Sequence, residues 1–220
     1  MGATAPKIDY KRELGRLYRA RREPAIVDVP EMSFAMIDGR GSPTDSADYM
    51  EAIGALYGVA YTLKFMVKRS PGGLDYTVMP LETLWWTLGD SPLISADPTD
   101  WRWTAMIMQP ESVTGPMVRE AATAVGAKRE LPAPPRLRLE RYFEGPSAQV
   151  LHVGPYEEEK ATIERLMAFI SAVGDVPAAK HHEIYLSDPN RTARDRLRTI
   201  IRQPIAPRGD ARDLDGERRV

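Results

Sequence analysis

Two short runs decide the fold: Leu81-Glu-Thr-Leu-Trp85 in the first half of the chain and His182-Glu-Ile-Tyr185 in the second. Both carry the alternation of a strand, and both occupy the same place in a longer pattern. Met36-Ile-Asp-Gly39 precedes the first run as Leu151-His-Val-Gly154 precedes the second. Ile107-Met-Gln-Pro110 follows the first as Ile201-Arg-Gln-Pro204 follows the second. A helical pattern lies between, so each half reads strand, strand, helix, strand, strand. The expectation is an α+β fold of two similar modules related by a pseudo-twofold axis. Neither half is long enough to bury much core, so their faces should pack together, with a ligand cleft at the seam.

Working outward, Ile26–Val29 and Ser33–Ile37 read as strands joined at Pro30-Glu31. Asp45-Ser46 should cap a long helix whose stripe is Tyr49, Ile53, Leu56, Ala60, Leu63 and Val67, ending before Pro71-Gly-Gly73. A second stripe beside it, Tyr57, Tyr61 and Phe65, implies burial on more than one side. Tyr76–Trp86 and Trp101–Met108 are the next strands, then a short helix after Thr114-Gly-Pro116 with Val118, Ala121, Ala122 and Val125 inward. Leu131-Pro-Ala-Pro-Pro135 is a stiff connector. In the second half, Leu137–Phe143 and Gln149–Val153 read as a strand pair. A helix follows on Ile163, Leu166, Met167, Ile170 and Val173, ended by Gly174. The strand His181–Leu186 and a last segment reaching Pro204 complete it.

Residues 10–22 read as one basic helix with Tyr10, Leu14, Leu17 and Tyr18 on its apolar face. The domain reading is an N-terminal helical extension, 1–24, and one domain over 25–206 with repeats near 25–110 and 136–206. Residues 207–220 read as a disordered tail.

Composition narrows the chemistry. The 220 residues hold 30 Lys+Arg against 31 Asp+Glu, a net charge of -1. That lacks the basic excess of a nucleic-acid binder and the acidic excess of a DNA mimic. No apolar run approaches the roughly 18–20 residues of a membrane span, and no secretory signal opens the chain. The expected location is cytoplasmic, as a monomer or homodimer. With no cysteine and only three histidines, His152, His181 and His182, disulfides and thiolate chemistry are excluded and a His-rich metal site nearly so. No phosphate-binding glycine motif is present, so no cofactor is expected. What remains is carboxylate and tyrosine chemistry.

Two features stand out. All four tryptophans fall between positions 85 and 103, with Trp85 and Trp86 on opposite faces of one strand and Trp101 and Trp103 on one face of the next. Indoles fill cores, and they also grip planar ligands and cations. The other feature is Glu183 in the pattern His181-x-Glu183-x-Tyr185, which shares one strand face. On the floor of an apolar cleft it would be a desolvated carboxylate that Tyr185 could orient; on a solvated face it would be an ordinary exposed acid. His152 beside Gly154-Pro155 reads as a structural histidine, and Glu157-Glu-Glu-Lys160 as a first helical turn matched to its dipole.

Five segments taken in order carry a resemblance: 55–66, 78–86, 101–110, 150–156 and 180–189. From about Tyr10 to Pro204 the chain resembles the stand-alone GyrI-like small-molecule-binding proteins. The resemblance implies two duplicated β-α-β-β (SHS2) modules around a central cleft, free of DNA-binding helices. Within the double-tryptophan branch it implies a cyclopropanoid cyclase/hydrolase, which opens the strained ring of DNA-alkylating agents and protects the cell, a form of antibiotic resistance. The family's pocket glutamate falls on Glu183 and its aromatic walls on Trp85, Trp86, Trp103 and Tyr142. Spacing adds Tyr61 and Phe65 as walls and Tyr185 as a partner of Glu183. The alternative is a non-catalytic protein that sequesters planar, often cationic, hydrophobic compounds, a form of multidrug binding.

Overall fold

The computed structural model describes residues 7–43, 47–88, 93, 96–129 and 136–209. In chain order the elements are α1 (Tyr10–Glu13), α2 (Gly15–Tyr18), β1 (Ala25–Val29), β2 (Met32–Arg40), α3 (Ala47–Arg69), β3 (Glu82–Thr87) and β4 (Trp101–Gln109). They continue with α4 (Gly115–Arg129), β5 (Arg138–Tyr142), β6 (Gly145–Val153), α5 (Glu159–Ala172), β7 (Asp175–Pro177), β8 (His181–Tyr185) and β9 (Arg198–Pro207). This mixed α+β chain forms two compact units, one of Met1–Gly15 with Met32–Tyr142 and one of Arg16–Glu31 with Phe143–Val220.

In the first unit the antiparallel strand order is β3-β4-β2-β5. In the second it is β8-β9-β6-β1, with β7 also on β9. The first unit runs β2, α3, β3, β4 and gains β5 at its edge; the second runs β6, α5, β8, β9 and gains β1 and β7. Of these edge strands, β5 corrects the sequence reading, which paired it with β6. β1 does not pair with its chain neighbour β2; it pairs with β6, Ile26 opposite Ala148. β5 does not pair with β6; it pairs with β2, Met32 opposite Tyr142. Pro30-Glu31 supplies neither the Gly nor the Asn that a two-residue hairpin needs, so no tight turn returns β2 onto β1. The expected repeats, 25–110 and 136–206, differ from the two units by this exchange of strands.

Local chemistry explains most element ends. The expected helix over 10–22 is two four-residue pieces, because the chain leaves helical geometry at Leu14 and resumes at Gly15. A glycine inside a helix costs about 1 kcal/mol. Leu17 and Tyr18 are nevertheless buried. β3 begins only at Glu82, after Pro80, while Tyr76 forms an isolated bridge to Ile8. α5 ends before Gly174, whose φ of +90° suits glycine. The Asp45-Ser46 cap, the connector 131–135 and the tail beyond residue 209 lie outside the described residues.

α3 covers one face of its unit's sheet. Its inward side is Tyr49, Ala52, Ala55, Leu56, Val59, Ala60, Leu63 and Val67. Tyr49 Oη hydrogen-bonds Thr83 Oγ1 at 2.8 Å, and the Tyr49 ring lies 5.4 Å from Trp85 and 5.0 Å from Trp103. The second stripe is not buried as its breadth implied: Tyr61 is 52% and Phe65 49% exposed. In α4, Val118, Ala121, Ala122 and Val125 are buried. In the second unit, α5 packs Leu166 and Ile170 on Ala148, Val150, Ile201 and Ile205.

Candidate functional site

Parity along the strands places every expected site residue. Trp85 sits opposite Trp103 across β3 and β4, on the same face as Thr83 and beneath Tyr49 of α3. Trp85 is 3% and Trp103 0% exposed, so these two indoles fill the core. Gly39 makes that possible, because a Cβ there would lie 2.1 Å from Trp103 Cζ2. Trp86, paired with Arg102, is half-buried on the opposite face of the sheet. Tyr142 shares that face; it pairs with Met32 and meets Phe34 edge-on at 6.5 Å. Tyr61 and Phe65 stand on the exposed side of α3. The six aromatic positions thus fall in three places rather than on one wall.

Glu183, His181 and Tyr185 do come together. All three point to the face of the second unit's sheet that α5 covers, since Glu183 pairs with Ile201 and Tyr185 with Thr199. Tyr185 Oη donates to Glu183 Oε2 at 2.7 Å, and His181 Nε2 lies 3.3 Å from Glu183 Oε1. Glu183 is only 14% exposed. The Tyr156 ring meets Tyr185 edge-on at 5.7 Å. Glu82, the sequence counterpart of Glu183, does not share this geometry. It faces Met106, away from Thr83 and α3, whereas Glu183 faces its unit's helix.

A fourth residue belongs to the cluster and was missed from sequence. Glu159, the first residue of α5, is 5% exposed and lies within hydrogen-bonding reach of Glu183, beside Thr199. A single 3₁₀ turn, Tyr156–Glu158, sets the phase that sends this glutamate inward while Glu157 pairs with Arg194 at 2.7 Å. The run Glu157-Glu-Glu-Lys160 gives no sign of which acid turns in.

The electrostatics divide the two acids. Burial and the Glu183 charge push the Glu159 carboxyl well above the usual carboxylate range. Burial opposes ionisation of Glu183 too, but the hydrogen bond and charge of His181, then the Tyr185 hydroxyl and Glu159, outweigh it and hold this carboxyl low. The helix N-terminus favours a charged Glu159 by about 0.3–1 kcal/mol. Burial, first, and the neighbouring Glu183 charge outweigh that preference, so Glu159 favours its protonated form.

His152 is fully engaged elsewhere. Its Nδ1 lies 3.0 Å from Thr162 Oγ1 and its Nε2 3.1 Å from the Pro155 carbonyl. The carbonyl can only accept, so Nε2 carries the hydrogen and Thr162 donates to Nδ1. The histidine ties β6 to α5. Among the described residues no group of three His, Asp or Glu is arranged to hold a metal, and no helix is long and apolar enough to cross a membrane.

These features belong to a known class. The GyrI-like small molecule binding domain matches residues 22–206, and the chain belongs to that family. A conserved protein of unknown role from Listeria innocua is 38% identical, with TM-score 0.83, over 91% of this chain and 100% of its own. A hydrolase from Listeria innocua is 36% identical, with TM-score 0.79 and the same coverage. The EcmrR C-terminal domain, 12% identical with TM-score 0.54 over 84% of this chain and 98% of its own, shares the fold. No curated protein matches the chain.

Proposed function

We propose that this member of the family hydrolyses cyclopropanoid DNA-alkylating compounds, adding water to open the cyclopropane and so protecting the cell. Glu183 is the general base that aims and deprotonates the water, and Tyr185 holds its carboxylate in place. Water attacks the ring carbon and the C–C bond breaks. Its electron pair passes into the conjugated dienone as a phenolate, which takes up the proton that Glu183 received. The observation that carries this reading is a shielded carboxylate kept ionised by two donors of its own strand. The hydrolase from Listeria innocua supports an enzymatic role. Tyr61 and Phe65, exposed on α3, are the proposed contacts for the planar body of the ligand, whereas Trp86 and Tyr142 lie on the opposite face of that unit's sheet. Trp85 and Trp103 act behind them as packing. That both units derive from one duplicated β-α-β-β module is part of the same proposal.

The second reading is sequestration without turnover, with Glu183 as counter-charge to a planar cation. The shielding of Glu183 and the half-exposed rings on α3 favour it equally. Incubation with a cyclopropanoid alkylator followed by mass analysis separates the two: a product heavier by one water supports hydrolysis, and unchanged compound with saturable binding supports sequestration.

A further inference from the structure

We propose that Glu159 is a positioning residue for Glu183: it carries the one proton that two neighbouring buried carboxyls retain, and donates it as a hydrogen bond that keeps Glu183 ionised. The inference rests on the reading of Glu183 as base, and three observations carry it. Both oxygens of Glu183 already have partners on their own strand, His181 and Tyr185, so the carboxylate is fixed in orientation. Glu159 comes from a different element, α5, and is 5% exposed, so bulk water cannot solvate a second charge there. Glu159 Oε1 is buried with only the Thr199 hydroxyl beside it, so Glu183 is the ionised acceptor within reach of the Glu159 proton.

The ionisable groups that act on Glu159 are Glu183 of β8 and Glu157 of the preceding turn; His181 and Tyr185 stand on Glu183, Arg194 is bound to Glu157, and His152 belongs to the neighbouring strand β6. His152 is held by Thr162 and Pro155, and Arg194 spends its charge on Glu157. Glu183 is therefore the acceptor best placed for the proton.

The test has two parts. Infrared spectra of the resting protein at pH 8 should show the carbonyl stretch of a protonated carboxylic acid, lost in Glu159→Gln. No such band, or a band retained unchanged in Glu159→Gln, overturns the inference. The second part is the pH profile of turnover on a cyclopropanoid alkylator. Glu159→Gln keeps a donor and should keep kcat within about threefold. Glu159→Met removes the donor; kcat at neutral pH should fall about tenfold or more and the acid limb should move to higher pH, with KM little changed. Equal losses in both variants with the limb unmoved also overturn it. No turnover by the wild type overturns the hydrolase reading instead, and the infrared band alone then decides where the proton lies.

Discussion

Arg202 Nη1 meets Glu144 Oε2 at 3.0 Å with both side chains 1% exposed. Around this pair, Glu144 Oε1 takes His182 Nδ1 at 2.9 Å, while Arg202 donates to Gln149 Oε1 and to the Leu17 carbonyl. Gln149 in turn donates to the Arg16 carbonyl at 2.8 Å. The network pins α2 to β6 and β9, on the sheet face opposite Glu183. Removing one partner strands a buried charge. Arg202→Met should cost about 3–5 kcal/mol in chemical unfolding. The double variant Glu144→Gln/Arg202→Met should recover part of that loss, because no lone charge remains.

The same pair sets an acid limit on stability. Burial works against the Glu144 charge, but His182 and Arg202 overcome it and bring the carboxyl from 4.5 to about 2. A lowered folded-state value stabilises above the unfolded one. This contribution is therefore complete above about pH 4.5 and is lost as pH falls toward 2. Acid unfolding followed by circular dichroism should show Glu144→Gln with a flatter limb in that window than the wild type.

Gly39→Ala tests the core directly. Its methyl would meet Trp103 Cζ2 at 2.1 Å, and Trp103 is fully buried beneath Tyr49. Overpacking of this kind costs about 1–3 kcal/mol. The unfolding midpoint should drop and Trp fluorescence should shift in the folded protein.

Much of this was legible in the sequence, and the failures have physical causes. Period-two and period-3.6 patterns and apolar runs located β2, β4, β6, β8, α3 and α5, because those elements carry most of the buried residues of their units. Which strands pair was not legible: β1 and β5 are short and little buried, and partner choice depends on where the chain goes next. Which aromatics pack in the core was not legible, because alternation gives two faces without saying which one the helix covers. Trp85 and Trp103 took the covered face. Glu183 stood out from its strand neighbours, but Glu159 hid in an acidic run whose phase one 3₁₀ turn decides. Arg202 and His182 gave no sign, since charged residues inside a strand ordinarily signal solvent.

Half-exposed rings on α3 make binding separable from folding. Tyr61→Ala and Phe65→Ala should leave unfolding free energy within about 0.5 kcal/mol of wild type, as surface changes do. Each should weaken the quenching of Trp fluorescence by a planar aromatic ligand. Unchanged affinity in both would remove α3 from the ligand site.

Tyr185→Phe deletes the 2.7 Å hydrogen bond to Glu183. A bond to a charged group is worth about 1.5–3 kcal/mol, so turnover should fall by roughly ten- to hundredfold. The acid limb of the rate profile should move to higher pH, because Glu183 loses one of the donors that favour its ionised form.

Glu183→Gln carries the central claim. The amide keeps the shape and can still meet Tyr185, but it cannot accept a proton from water. Mass-resolved turnover of a cyclopropanoid alkylator should fall by about 10²–10⁴, while the compound still saturates binding with little change in affinity. Ring-opened product formed at the wild-type rate by this variant would contradict the account.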